Sequence, residues 1–268
     1  MDASVKKWAC ITGATSGIGE TFAKEFAKQG YHLILTGRNE EKLSSLSDKL
    51  KQENDIMAEV ETGDFSDWYA VQDLAAKLSK RKELRILVNN AGFGVHSPFE
   101  REEFSRYEDM LYVHELALMR LTHAVLPLMI EAGEGTIINV SSTAAFTPHP
   151  LNAVYAATKS MVKSFSESIY LELQGTGVYV QALCPGVTRT EFHERMGLNQ
   201  RRLYSKKGIM KAMDPEDVVR ISLKCIRKNK PVCVPGFNNK TIRLALKFLP
   251  NSLIYKIVKQ RQMPAGRP

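Results

Sequence analysis

Trp8-Ala-Cys-Ile-Thr-Gly13-Ala-Thr-Ser-Gly17-Ile-Gly19 decides how this chain folds. Its first five residues read as a short buried strand. Glycines at 13, 17 and 19 follow, and then a helical pattern sets Phe22, Ala23, Phe26 and Ala27 on one side. Strand, glycine turn and helix together can cradle a dinucleotide. Glycines let the backbone approach a pyrophosphate, and the helix N-terminus supplies N–H donors and positive dipole. The spacing is G-x-x-x-G-x-G, not G-x-G-x-x-G, and glycine turns are common. What carries the reading is the position of this one at the first strand-to-helix turn.

Outward from that turn, strand and helix signals alternate along all 268 residues. Strands are expected near 8–12, 32–36, 56–62, 86–89, 135–140, 178–183 and 232–234, with helical patterns between them. The expected fold class is α/β: a doubly wound, Rossmann-type parallel sheet of about seven strands, helices on both faces, in a single domain. Residues 1–239 are expected to form the catalytic body, with a substrate lid at about 187–213, and 240–268 a basic amphipathic tail.

The second strand runs into Gly37-Arg38-Asn39. An NAD site would place an acid here for the ribose 2′-hydroxyl. None stands at 36–38, and the planar donors of Arg38 suit a 2′-phosphate. NADP is therefore expected over NAD. The alternative is a solvated Arg38, with Glu40 or Glu41 reaching the ribose.

Tyr155-Ala-Ala-Thr-Lys159 puts a phenol and an ammonium four residues apart, on one face of a helix. Two unit charges ~5 Å apart at an effective dielectric of ~20 interact by about 3 kcal/mol, enough to lower the phenol by roughly two pKa units. A tyrosine tuned that way can exchange protons near neutral pH. Ser142 offers a hydroxyl to the oxygen that receives the proton. Alone, Y-x-x-x-K recurs by chance.

Thr12 to Gly19, Asn89-Asn-Ala-Gly92, Ser142, Tyr155-x-x-x-Lys159 and Pro185-Gly186 stand in one order and at set separations. In this the chain resembles the short-chain dehydrogenase/reductase family over nearly its whole length. The resemblance implies that Tyr155 passes a proton to or from a substrate oxygen, that Ser142 holds that oxygen, and that Lys159 binds the nicotinamide ribose and lowers the tyrosine pKa. It assigns to the cofactor Gly13, Thr15, Ser16, Gly17, Ile18, Gly19 and Arg38. Asp64 (at the adenine), Phe65, Asn90, Ala91 and Gly92 join them. So do Tyr155, Lys159, Pro185, Gly186, Thr188 and Thr190. One departure stands out: the family's catalytic Asn, which helps hold a proton-relay water, is replaced here by His114. His114→Asn is expected to keep or raise turnover, and Tyr155→Phe to abolish it.

Composition bounds the rest. The net charge is +8, yet no acid follows Asp217, and twelve of the 37 basic residues do. The first 217 residues therefore carry −4, unlike a globally basic nucleic-acid binder, and no nucleic-acid motif is present. Cys10, Cys184, Cys225 and Cys233 make no C-x-x-C, and the six histidines make no ligand spacing, so no metal site is expected. A reduced, cytoplasmic protein is expected: residues 1–8 lack a signal-peptide core, and no apolar run approaches ~18–20 residues. In the lid, Phe192, Met196, Leu198, Leu203 and Met210 suit an apolar substrate. Phe146, Leu151, Phe93 and His96 are candidates for the same pocket. The tail's Leu253, Ile254, Ile257 and Val258 form one stripe, able to lie on an anionic membrane, pack on the body or join subunits.

The expected protein is an NADP-dependent carbonyl reductase or alcohol dehydrogenase. Its expected substrate is an apolar carbonyl or alcohol of hydroxysteroid/ketosteroid or 3-oxoacyl type. The resemblance implies a homodimer or homotetramer. The rival is a non-catalytic NADP-binding regulator on the same fold.

Overall fold

The computed structural model describes residues 6–198, 204 and 212–262. Strands β1 (Trp8–Thr12), β2 (His32–Gly37), β3 (Ala58–Thr62), β4 (Leu84–Asn89), β5 (Gly135–Val140), β6 (Val178–Leu183) and β7 (Val232–Cys233) pair in the order β3-β2-β1-β4-β5-β6-β7. All the pairings are parallel. Helices α1 (Gly17–Lys28), α2 (Glu40–Glu53), α3 (Trp68–Leu78), α4 (Phe104–Leu111), α5 (Ala117–Glu131), α6 (Ala153–Glu172), α7 (Phe192–Arg195), α8 (Pro215–Arg227), α9 (Phe237–Leu246) and α10 (Asn251–Gln262) connect or follow them. The doubly wound α/β fold is the one expected.

Alternation along β1 shows why both faces are covered. Ala9 and Ile11 pack with Phe22, Phe26, Leu43 and Val218 from α1, α2 and α8. Trp8 and Cys10 point the other way, into Leu74, Leu121 and Val125 from α3 and α5. The inner strands β1, β2, β4, β5 and β6 have apolar residues for both layers, whereas the edge strand β3 gives Ala58 and Val60 to one layer and turns Glu59 and Glu61 outward to Arg81 and Lys77.

The order reverses between β1 and β4, and there the crevice opens at the carboxyl ends of the strands. A buried polar ladder fixes α6 over that end. Asn89 donates to Asn139 at 2.8 Å and to Thr122 at 3.1 Å, Asn139 donates to Ser166 at 3.0 Å, and Ser166 donates to the Val162 carbonyl at 2.6 Å.

The expected 239/240 division falls within α9, whose Asn239 is buried and donates to the Pro235 carbonyl at 2.8 Å. Two expectations are corrected. Phe104–Glu131 forms one 28-residue helical segment that is long and apolar enough to cross a membrane by length and composition. Its Met110, Val113, Leu121, Val125 and Met129 are buried inside the protein. The tail stripe splits: Ile254 is buried and Val258 half-buried, whereas Leu253 and Ile257 are exposed.

Candidate active site

The phosphate end is built around Thr12 and the glycines. The Thr12 hydroxyl accepts the N–H groups of Asn90 and Ala91, both at 2.9 Å, and donates to the Val88 carbonyl at 3.2 Å. It thereby stitches β1 to β4. Asn90 Nδ2 donates to the carbonyls of Thr12 (2.9 Å) and Gly13 (3.1 Å), so Asn90 braces the glycine turn. A Cβ on Gly19 would sit 2.3 Å from the Gly13 oxygen, and Gly17, at φ +59°, would push one to 2.7 Å from the Thr190 methyl. The turn accepts nothing larger than glycine at these points. Ser16 precedes α1 and makes no capping bond with its side chain, which leaves the first N–H groups of the helix to an anion. Thr15 lies against Gly37 at the end of β2. Beyond it, Arg38 is exposed and 3.6 Å from the Asp64 carboxylate. These residues fit a dinucleotide with its adenosine end over β2 and β3. Ile18 packs partly on the α1 layer, and Phe65 is buried in the α3 layer, where it also lines a small cavity with Thr12, His114 and Lys159.

At the chemical end, Ser142 caps a single 3₁₀ turn, Thr143–Phe146, and its hydroxyl accepts the Ala144 N–H at 3.1 Å. It lies near enough to the Tyr155 hydroxyl to draw the phenol pKa down. Lys159 is buried, donates to the Val140 carbonyl at 2.9 Å, and lies 5.6 Å from the centre of the Tyr155 ring. Here the structure corrects an expectation. Burial pushes the Tyr155 phenol up to about 12, and the nearby Ser142 hydroxyl only partly draws it back. Burial also pushes Lys159 down to about 8. The ammonium sits beside the ring and gives a hydrogen bond to Val140, so desolvation of the phenolate outweighs the attraction.

His114 sits in a π-helical turn, Tyr112–Leu116, between α4 and α5. Its Nε2 accepts the Phe93 N–H at 3.1 Å, and its Nδ1 lies 2.9 Å from the Thr158 hydroxyl. The Thr158 hydroxyl itself donates to the Tyr155 carbonyl at 2.9 Å, so the consistent tautomer carries its proton on Nδ1. Burial and then the Lys159 charge hold the imidazole well below its usual pKa, so it is neutral. A cavity of about 10 Å³, room for about one water, lies among Thr12, Asn89, His114 and Lys159.

Residues 7–201 match the family model for short chain dehydrogenases. The chain belongs to the short-chain dehydrogenase family. It is an oxidoreductase by that membership. It is 40% identical over 185 residues to sulfoacetaldehyde reductase 2 of Chromohalobacter salexigens, which covers 68% of this chain and 73% of that one. It is 34% identical over 195 residues to the very-long-chain 3-oxoacyl-CoA reductase of Homo sapiens, covering 69% of this chain and 60% of the relative. Among solved structures, a short-chain dehydrogenase from Sphingobium yanoikuyae in complex with NADPH superposes with TM-score 0.82 at 29% identity, over 97% of this chain and 98% of that one.

In this dehydrogenase the loop after β6 closes the crevice. The Pro185 carbonyl accepts the Thr143 N–H at 2.8 Å, and Gly186 lies against Asn239, where a Cβ would meet Nδ2 at 2.6 Å. The Thr188 hydroxyl donates to the Gly186 carbonyl at 3.1 Å, and Thr190 touches Gly17, joining this loop to the glycine turn. Residues 187–189 pair with Met213: Met213 N–H donates to the Val187 carbonyl and Arg189 N–H to the Met213 carbonyl, both at 2.9 Å. From α7, the Phe192 ring lies 5.8 Å from that of Tyr155, and Phe192 and Met196 press on Gly94. Leu203 and Met210 lie outside the described residues. Phe146 packs instead on Ala182, Cys184 and Val234, beneath Arg243. His96 is exposed, its Nδ1 2.8 Å from Asn152 Nδ2, and Leu151 accepts the Ser97 N–H at 2.9 Å.

Sequence reasoning gave Thr12 no role beyond its place in the motif, and it missed Thr158. Each is a hydroxyl at a buried position, next to a residue that was singled out. A buried threonine that ends a strand or shares a helix turn with a catalytic pair is the only trace of their role.

Proposed function

We propose that this enzyme is an NADP-dependent reductase of ketones on apolar bodies, of ketosteroid or 3-oxoacyl class, or in reverse a dehydrogenase of the matching secondary alcohols. The carrying observation is Tyr155: Phe192 lies 5.8 Å from its ring, Phe93 and Val95 pack nearby, and Ser142 is near enough to its hydroxyl to draw the phenol pKa down. That pairs a proton donor with an apolar wall. NADP is favoured by the exposed Arg38 at the end of β2, with no acid at 36–38, and by the NADPH held in the related Sphingobium structure.

When bound, the dinucleotide supplies the hydride. The chain does the rest. Ser142 and Tyr155 hold the substrate oxygen and polarise it. Tyr155, protonated below about 12, gives its proton to that oxygen during reduction and takes one back in oxidation. Lys159 supplies positive charge beside the tyrosinate that results. The small cavity against Lys159 and His114 has room for a relaying water, and His114, neutral and held at both nitrogens, keeps the Gly92-Phe93 turn against α6. Phe192 and Met196 exclude water from the reacting face.

Assembly as a homodimer or homotetramer through the long helices belongs to the same reading. It is supported by Leu111, Tyr112 and Leu116, all exposed along Phe104–Glu131.

The test is NADPH oxidation with aryl ketones, ketosteroids and 3-oxoacyl thioesters, beside a dinucleotide titration. Turnover on at least one class, lost in Tyr155→Phe, is expected. Tight NADPH binding with no turnover on any class would make the protein a cofactor-binding regulator instead.

A further inference from the structure

We propose that the outer face of α9 and α10 docks this enzyme on an anionic phospholipid surface. The inference is independent of the substrate reading. Phe237, Lys240, Thr241, Leu244, Lys247 and Phe248 recur at helical spacing along α9 and its C-terminal end, and all are exposed. Phe237 is 78% exposed and Phe248 81%, so neither ring packs on the body. The opposite side docks the helix, with Asn239 buried and Ile242, Leu246 and Leu249 half-buried. On α10, buried Ile254 anchors while Leu253, Tyr255, Lys256, Ile257 and Lys259 face outward.

Aromatic rings interleaved with lysines suit one environment in particular. Phenyl rings sink to the acyl boundary, and lysine stems run beside them and carry their ammonium groups to the phosphates. Charge selects the partner. No acid follows Asp217, so this face offers a membrane only positive charge. A second copy docking face to face would set lysine against lysine, which disfavours that occupant.

The experiment is cosedimentation of the full chain with phosphatidylcholine vesicles, with and without phosphatidylglycerol, at low and high salt. Binding is expected with phosphatidylglycerol at low salt, and it weakens as salt rises. Lys240→Glu with Lys247→Glu should lower partitioning by about thirtyfold or more, from roughly fivefold per lost lysine. Phe237→Ser with Phe248→Ser should lower it by about tenfold or more. All four positions are exposed, and unchanged NADPH binding certifies the fold of each variant. Three results overturn the proposal: no cosedimentation, equal binding to both lipids, or binding indifferent to the phenylalanines. A wild type that ignores vesicles, with variants that shift its oligomeric state on gel filtration, assigns the face to a second copy and also overturns it.

Discussion

Tyr155 and Lys159 answer burial in opposite directions. The phenol is held up to about 12 and the ammonium down to about 8. Tyr155 therefore keeps its proton across the working range, and Lys159 is the group that changes charge first. Reduction consumes a proton, and the lysine charge steadies the tyrosinate it leaves, so reduction is favoured below the lysine pKa. We expect kcat/KM for reduction to be flat below about pH 7 and to fall above about 8, with alcohol oxidation rising over the same range. A reduction profile flat beyond about pH 9 would exclude Lys159 as that group. Tyr155→Phe removes the proton donor and should drop turnover to background without lowering NADPH affinity by more than a few-fold. His114 divides differently. Asparagine ends near the place of Nδ1, so it keeps Thr158 and releases the Phe93 N–H. His114→Asn should thus retain kcat within about tenfold while costing about 1–3 kcal/mol of stability, read from the urea midpoint. A large loss of kcat at unchanged stability would make His114 a participant in the chemistry.

The elements that matter most are the first turn and the ends of β2 and β4. The Gly13-to-Gly19 turn admits no side chain at Gly19, where the obstruction is the Gly13 carbonyl and not a movable side chain. Gly19→Ala should destabilise the protein by about 1–3 kcal/mol and weaken NADPH binding, as denaturant midpoints and titration would show. At the end of β2, Arg38→Ala should reduce NADPH affinity roughly ten- to hundredfold and leave NADH affinity nearly unchanged. Equal losses for both would place Arg38 away from the 2′-phosphate. The glycine turn was legible in the sequence because of its place at the first strand-to-helix turn, where close backbone approach leaves no room for a side chain. The π-helical turn at Tyr112–Leu116 was not. Its residues keep a helical pattern, and only packing of His114 against Phe93 and Thr158 reveals the widened turn.

Across the whole molecule, the site is assembled from the carboxyl ends of β1, β4, β5 and β6, with Thr190 touching Gly17 to close the ring. Binding should therefore stabilise the body as one unit. At a hundredfold excess over Kd, NADPH should add about 2.7 kcal/mol and raise the single melting transition by several degrees. A split melt with one phase unmoved would show that the site spans only part of the fold. By itself, the sequence determined the alternation of strands and helices, the glycine turn, the Tyr155–Lys159 pair and the acid-free end of the chain, because periodicity, glycine's missing side chain and net charge are local properties. Only the tertiary structure decided that Phe146 packs on Ala182, Cys184 and Val234, that Asn90 braces the turn, that the tail stripe divides into anchor and exposed face, and that burial raises the tyrosine. Each depends on which groups share a space once water is gone, and desolvation is set by neighbours distant in the chain.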